Sequence, residues 1–264
     1  MKHIYGYMNW DDVKEHIDNK SIVIIPTGAI ESHGPHMPTD TDTHQAEYIS
    51  NQVAERVGGV AVPPIVYGVS KTFEHFPGTI SLSIPTYQQV LYEVASALIK
   101  QGFVNIVILN GNRPNGTSND AVARRLIDDL DDKYDFKVTV INLWEPAAPK
   151  IQELRNSGPG GIGHGGEMET SLQLAIRPEL VHVDRLSTVP KPPMVVWDAI
   201  AGPLPAYTYT RRPNPDTNPS SIFGDPSVAS AETGEAFLKV IVDSLVDVIE
   251  NLQVAYQQRK SYLL

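Results

Sequence analysis

Between residues 31 and 42 the chain reads Glu-Ser-His-Gly-Pro-His-Met-Pro-Thr-Asp-Thr-Asp. Carboxylates and imidazoles are the usual protein ligands of divalent ions, and here Gly and Pro hold them in turns. Glu31 and His33 are two residues apart, so in an extended segment both point to one side. Two other stretches carry related groups: Asn110-Gly-Asn-Arg-Pro-Asn115 and His164-Gly-Gly-Glu167-Met-Glu169-Thr-Ser171. Brought together, these carboxylates, imidazoles and amides suit one or two divalent ions with a position left open for water. Glu167 and Glu169 would share a side in an extended segment but diverge in a helix, where only one faces the site.

Taken one at a time, these residues have plainer uses. Asp42 can cap the helix that follows it. Glu169 can be a first-turn carboxylate favoured by the helix dipole. His164 can be a satisfied loop histidine, and His75, beside Phe76-Pro77, can simply pack. The functional reading rests on the three stretches occupying equivalent places in the chain.

That equivalence comes from the elements around them. Ser21–Pro26 and Asn105–Leu109 are short apolar, β-branched runs that read as buried strands. Each runs directly into one of the polar stretches. The loops at the carboxyl ends of strands in an open α/β sheet converge, and ligands bind there. Val60–Val66 reads as a further strand, interrupted by prolines and so placed at an edge, and Phe136–Leu143 as another. Helical spacing covers Asn9–Ile17, Thr43–Val57, Pro85–Lys100, Ser118–Leu130 and Glu167–Ile176, with a final helix from about 226 to 254. Strand and helix alternate without an internal repeat or a dividing linker. This predicts a single α/β domain over 1–264, with a mostly parallel sheet and helices on both faces. Residues 186–226 read as a long irregular, Pro-rich segment, the kind that forms a lid, an oligomer arm or a binding loop.

Composition narrows the chemistry. With no cysteine among 264 residues there is no disulfide, no thiolate zinc site and no cysteine nucleophile. A metal must therefore be held by His, Asp, Glu, Asn or water, which favours zinc, manganese, iron or magnesium. The net charge of −10 and the absence of a basic, aromatic-studded patch argue against a nucleic-acid partner. No stretch has the length of a transmembrane helix, and the first residues lack the apolar core of a signal peptide, so a cytoplasmic protein without a membrane partner is expected.

The motifs together resemble the creatininase (creatinine amidohydrolase) family of metal-dependent hydrolases. The resemblance rests on Pro26-x-Gly28-x-x-Glu31-x-His33-Gly-Pro-His36-x-Pro38 with Asp42, on His75-Phe-Pro-Gly-Thr-Ile-Ser-Leu82, on Asn110-Gly111 and on His164-Gly-Gly-Glu167-x-Glu169-Thr-Ser171. Phe223-Gly-Asp-Pro226 adds a fifth match, and the matches run through nearly the whole chain in the family's order. The resemblance implies a three-layer α/β/α fold and a two-metal site for zinc, manganese or iron. In it Asp42 bridges, Glu31 holds one ion, and His33 holds the other with Glu167 completing its shell. It further implies His164 as a proton carrier and a homo-oligomer, often a hexamer; His36 is the reserve candidate for the proton donor.

One departure matters. The family usually has a histidine where this chain has Asn112, and that histidine completes the Glu31 position. Creatininase also has a carboxylate where this chain has Pro114. An amide oxygen is a weaker, harder ligand than imidazole. The expectation is therefore one firm metal position and one that is empty, loose, or suited to manganese or magnesium. Arg113, Asn115 and His75 are the candidate substrate-binding residues, and Glu167 is counted among the catalytic as well as the metal-binding groups. The expected reaction is hydrolysis of a C–N bond in a small cyclic amide or formamide, not creatinine and not a peptide chain. Ring opening of a cyclic polyol ketone of the inosose type is the alternative enzyme reading, and a non-catalytic binding member the alternative without turnover.

Overall fold

The computed structural model describes residues 2–188, 213–216 and 218–262, with side chains described as far as 252. The sheet has four strands, β1 (Ile22–Thr27), β2 (Val60–Ala61), β3 (Asn105–Asn110) and β4 (Lys137–Asn142). They lie in the order β2-β1-β3-β4, with every pairing parallel. Chain order makes each parallel step a crossover, filled by α2 (Thr41–Arg56), α3 (Ile84–Gln101) and α4 (Gly116–Leu130). α1 (Trp10–Asp18) precedes the first strand, and α5 (Ala148–Leu154), α6 (Glu167–Ile176) and α7 (Ala231–Tyr262) follow the last.

The two-residue period of a strand divides the core in two. Ile22, Ile24, Val107 and Leu109 face α2, α5, α6 and α7. Their neighbours Val23, Ile25, Ile106 and Ile108 face α3 and α4. The result is the expected α/β/α sandwich. β2 is an edge strand, as its prolines required, and is shorter than the run read from sequence. Residues 189–212, most of the long irregular segment, lie outside the described residues, so its expected part as a lid or arm does too.

Local chemistry sets the helix ends. Asn9 and Asp12 form a reciprocal capping box at α1. Ser83 caps α3 through its hydroxyl, with Pro85 in the first turn, and Gly102 ends that helix in the left-handed conformation. α2 begins two residues earlier than the spacing suggested, which puts Asp42 inside its first turn.

α6 and α7 pack closely, and Gly234 is where they meet. A Cβ there would stand 1.9 Å from the Ser171 carbonyl oxygen and 3.0 Å from Ala175 Cβ. Gly234→Ala is therefore expected to lose stability by about 1–3 kcal/mol through forced separation of the helices, measured as a fall in denaturation midpoint.

The carboxyl ends of β1 and β3 open into residues 28–40 and 111–115. A buried polar network ties the two loops together below the site. Thr27 Oγ1 donates to Asn110 Oδ1 (3.1 Å), Asn110 Nδ2 to Asn142 Oδ1 (2.7 Å), and Asn119 Nδ2 to Thr27 Oγ1 (3.3 Å). Asn115 latches the top, accepting from Val69 N at 2.8 Å and donating to Gly28 O at 3.0 Å. Such groups are costly to leave unpaired in a dry interior, so the network holds the loops in one arrangement.

Candidate metal centre

Glu31, His33, Asp42 and Glu169 are buried together at the carboxyl end of the sheet. His33 Nδ1 lies 3.1 Å from the carbonyl oxygen of Glu31. A carbonyl only accepts, so Nδ1 carries the hydrogen, and in the neutral ring Nε2 presents its lone pair. That lone pair faces Asp42 Oδ1 at 3.1 Å and Glu169 Oε2 at 3.7 Å. His164 repeats the pattern. Its Nε2 donates to Ser32 O at 2.7 Å, which turns Nδ1 toward Glu31 Oε1 at 3.3 Å. Backbone carbonyls that orient imidazole lone pairs at carboxylates are the usual outer support of a metal site.

The carboxylates are also under-partnered. Glu31 Oε2 and Asp42 Oδ2 are buried with no hydrogen-bond partner. Burial, reinforced by the Asp42 charge, raises the Glu31 pKa to about 8. Burial raises Glu169 likewise to about 8, partly offset by His33, and pushes Asp42 well above its usual value. A proton can relieve one such contact, whereas a divalent cation satisfies several oxygens and nitrogens at once. Among the described residues two sets of donors lie close enough to hold an ion, Glu31/His33/His164 and His33/Asp42/Glu169. The residues therefore fit a metal.

The structure corrects one expected ligand. Glu169, not Glu167, stands beside His33 and Asp42. Glu167 turns away and ties down the preceding loop: Oε1 accepts from Asn156 N at 2.7 Å and Oε2 from Ser157 N at 2.8 Å. Both carboxylates lie in the first turn of α6. Two residues along a helix is a rotation of about 200°, so they cannot serve the same site. The contrast is measurable. Glu169→Gln is expected to weaken metal binding by roughly 10–100-fold or more, with little loss of metal-free stability. Glu167→Gln is expected to cost about 1–3 kcal/mol of stability, the scale of hydrogen bonds to a charged acceptor, while metal affinity stays near wild type. Calorimetric titration and thermal denaturation on the two proteins separate these outcomes.

Other expected residues divide as well. A cavity of about 200 Å³ opens beside the centre, reached by Glu31, Asp42, His164 and Glu169 on one side and by Asn112 and Arg113 on the other. Asn115 does not reach it: its amide is consumed by the latch to Val69, Asn112 and Gly28. His75 is exposed and does not line the cavity. His36 is buried behind the centre, with Nε2 3.0 Å from Thr170 Oγ1, and does not line the cavity. Burial, the largest cause, lowers its pKa to about 4, and its place behind the centre keeps it from the reserve role expected of it. Phe73 and Phe223 were not anticipated. Phe73 stacks on His164, with centroids 4.0 Å apart and planes 15° apart, and both phenylalanines line the cavity. Their apolar identity carried no sign of that position.

The family model described as Creatininase (creatinine amidohydrolase) matches residues 6–249. This chain belongs to the creatininase family. A creatinine amidohydrolase of Pseudomonas putida is 32% identical, covering 92% of this chain and 95% of that protein. A mycofactocin precursor peptide peptidase of Mycolicibacterium smegmatis is 29% identical over 88% and 85%, and a 3-dehydro-scyllo-inosose hydrolase of Thermotoga maritima 24% over 96% and 84%. Among solved structures, a mutant creatininase described as Zn-Zn type superposes with a TM-score of 0.81 at 29% identity, covering 94% of this chain and 97% of that one. A creatininase described as the Mn form gives 0.80 at 29% identity, over 95% and 98%. The chain is thus a metal-dependent hydrolase of the amidohydrolase type, and the non-catalytic reading falls away. Among the described residues no helix is long and apolar enough to cross a membrane.

Proposed function

We propose that this creatininase-family hydrolase cleaves a C–N bond in a small, polar cyclic amide or formamide, with His33, Asp42 and Glu169 as the principal metal ligands. The observation that carries this reading is the buried set of lone pairs and unpartnered carboxylate oxygens at the wall of a cavity. An ion held there supplies Lewis acidity and lowers the pKa of water. The protein's own groups do the rest. The cavity, of about 200 Å³, is of a scale that suits a small ring better than a peptide segment. Phe73 and Phe223 keep one wall dry, which strengthens the polar contacts on the other. His164 and the carboxylates of Glu31, Asp42 and Glu169 supply acceptors at the cavity wall.

Arg113 lines the cavity from the β3 side, where its guanidinium can take a carboxylate or polar oxygen of the substrate in a forked contact. Arg113→Met is then expected to raise KM about 10–100-fold, the scale of a charged hydrogen bond, with a smaller change in kcat. The chain's Asn112 and Arg113 also give the polyol-ketone reading a foothold, since a hydroxylated ring offers matching oxygens, and one relative is a 3-dehydro-scyllo-inosose hydrolase. Purified protein loaded with zinc or manganese should be assayed against cyclic amides, N-formyl compounds, creatinine and inososes. Release of amine or ammonia from the first two supports the proposal. Turnover confined to the inososes replaces it with ring opening, and turnover confined to creatinine or to peptides overturns the substrate assignment.

A further inference from the structure

The two donor sets share His33, yet a neutral imidazole has a single lone pair. His33 Nε2 is already directed at Asp42 and Glu169. An ion on the Glu31 side needs another nitrogen, or must do without one. The β3 side of the cavity does not provide it. Residues 111–114 there read Gly-Asn-Arg-Pro, with no imidazole and no carboxylate. Asn112 gives its amide hydrogens to Val69 O at 3.3 Å and Asn115 Oδ1 at 3.2 Å, leaving at most its oxygen for a ligand.

His164 stands opposite with the missing atom. Its Nε2 hydrogen is committed to Ser32 O at 2.7 Å, so Nδ1 carries the lone pair, 3.3 Å from Glu31 Oε1. Neither of these atoms can donate to the other while Glu31 is ionised. The second oxygen of Glu31 is buried and has no partner at all. Stacking on Phe73 and the tilted contact with the His33 ring, 4.2 Å between centroids, hold the imidazole in this orientation. The ring is thus fixed with a lone pair aimed at a carboxylate that is itself short of partners.

Building on the metal-hydrolase reading above, we propose that His164 is a metal ligand, binding through Nδ1 a second divalent ion of the zinc or manganese class shared with Glu31. The turn at 164–169 then contributes both a nitrogen and a carboxylate donor, His164 to one position and Glu169 to the other. The Asn112 side of the cavity is released from metal binding and is free to contact substrate. The alternative role for the same lone pair is proton carriage, and the two roles differ in what removing the ring does to metal content.

The test is a titration of chelator-stripped protein with Co²⁺, read by absorbance of the d–d bands and by bound metal after gel filtration. Wild type is expected to bind two equivalents. His164→Ala is expected to keep the first and lose the second, or weaken it at least about 100-fold, and His164→Ala combined with Asn112→His to regain it. Equal denaturation midpoints of the stripped proteins show that the fold is intact, and His164→Gln, closer in volume, repeats the measurement should the alanine variant fail that check. The proposal is overturned if His164→Ala binds both equivalents with unchanged affinity while turnover falls, or if wild type binds one equivalent that the substitution leaves untouched. A different result, no Co²⁺ bound by wild type and no change in His33→Ala, would remove the metal-hydrolase reading itself.

Discussion

Asp42→Asn is expected to abolish tight metal binding and lower kcat/KM by at least roughly 10²–10³-fold, the scale for losing a principal charge-stabilising group, while leaving the metal-free protein as stable as wild type or more so. The substitution keeps the shape of the side chain and removes its charge. Asp42 Oδ1 meets the lone pair of His33, and Oδ2 has no partner. Burial already holds its pKa well above the ordinary carboxylate range. Without an ion the carboxylate is a liability to the fold, so a neutral amide relieves it. An ion held by the His33, Asp42 and Glu169 donors would need that charge. Opposite signs on stability and metal affinity mark a functional group, whereas a structural aspartate would lose stability first. Metal analysis after dialysis, and thermal denaturation with and without chelator, check both signs. A large loss of metal-free stability with metal content preserved would remove Asp42 from the centre.

Stripping the metal should also leave a pH signature. Glu31 and Glu169 have folded pKa values raised from 4.5 to about 8. A raised folded pKa means that the folded chain holds protons that the unfolded chain has released, so stability falls as pH rises through the folded value. Two histidines oppose this at lower pH. His36, lowered to about 4, and His164, lowered well below its usual value, chiefly by burial, favour the unfolded chain's proton uptake below about 6.5. Their contribution is fully present above that pH. The window from about 6.5 to 8 therefore belongs to the carboxylates. Across it the chelated protein should lose stability, and the gain on adding back zinc or manganese should grow, since the ion binds the deprotonated ligands. Denaturation midpoints at half-unit pH steps, with and without metal, decide this. A midpoint of the stripped protein that stays flat or rises from pH 6.5 to 8 would show that the carboxylates are not strained by burial.

The general architecture was legible because it follows from local rules. Apolar runs such as Ile22–Ile25 and Ile106–Leu109, separated by helical periods, admit little besides a parallel sheet covered on both faces. The placement of Glu31, His33 and Asn112 followed from the same reading, because each comes directly after a strand. Residues whose role depends on a rotation or a distant partner were harder. Asn115 and Arg113 sit two apart in one short turn, and one became a buried latch while the other lines the cavity. Only the approach of Val69 and Gly28, from elsewhere in the chain, separates them. His36 reads as an equal of His33 in sequence, yet it points behind the centre to Thr170.

By itself the sequence determined the donor types, the strand ends that present them, the parallel sheet and an amide at position 112. Those are properties of residue identity and of periods of 2 and 3.6. The tertiary structure decided which donors meet. α6 begins with two glutamates about 200° apart, and only the packing of its other faces against α2 and α7 turns Glu169 inward and Glu167 toward Asn156 and Ser157. The carbonyls of Glu31 and Ser32 decide which nitrogen of His33 and of His164 keeps a lone pair. A sequence names the imidazole, but its free nitrogen is set by whichever acceptor the fold brings to the other side of the ring.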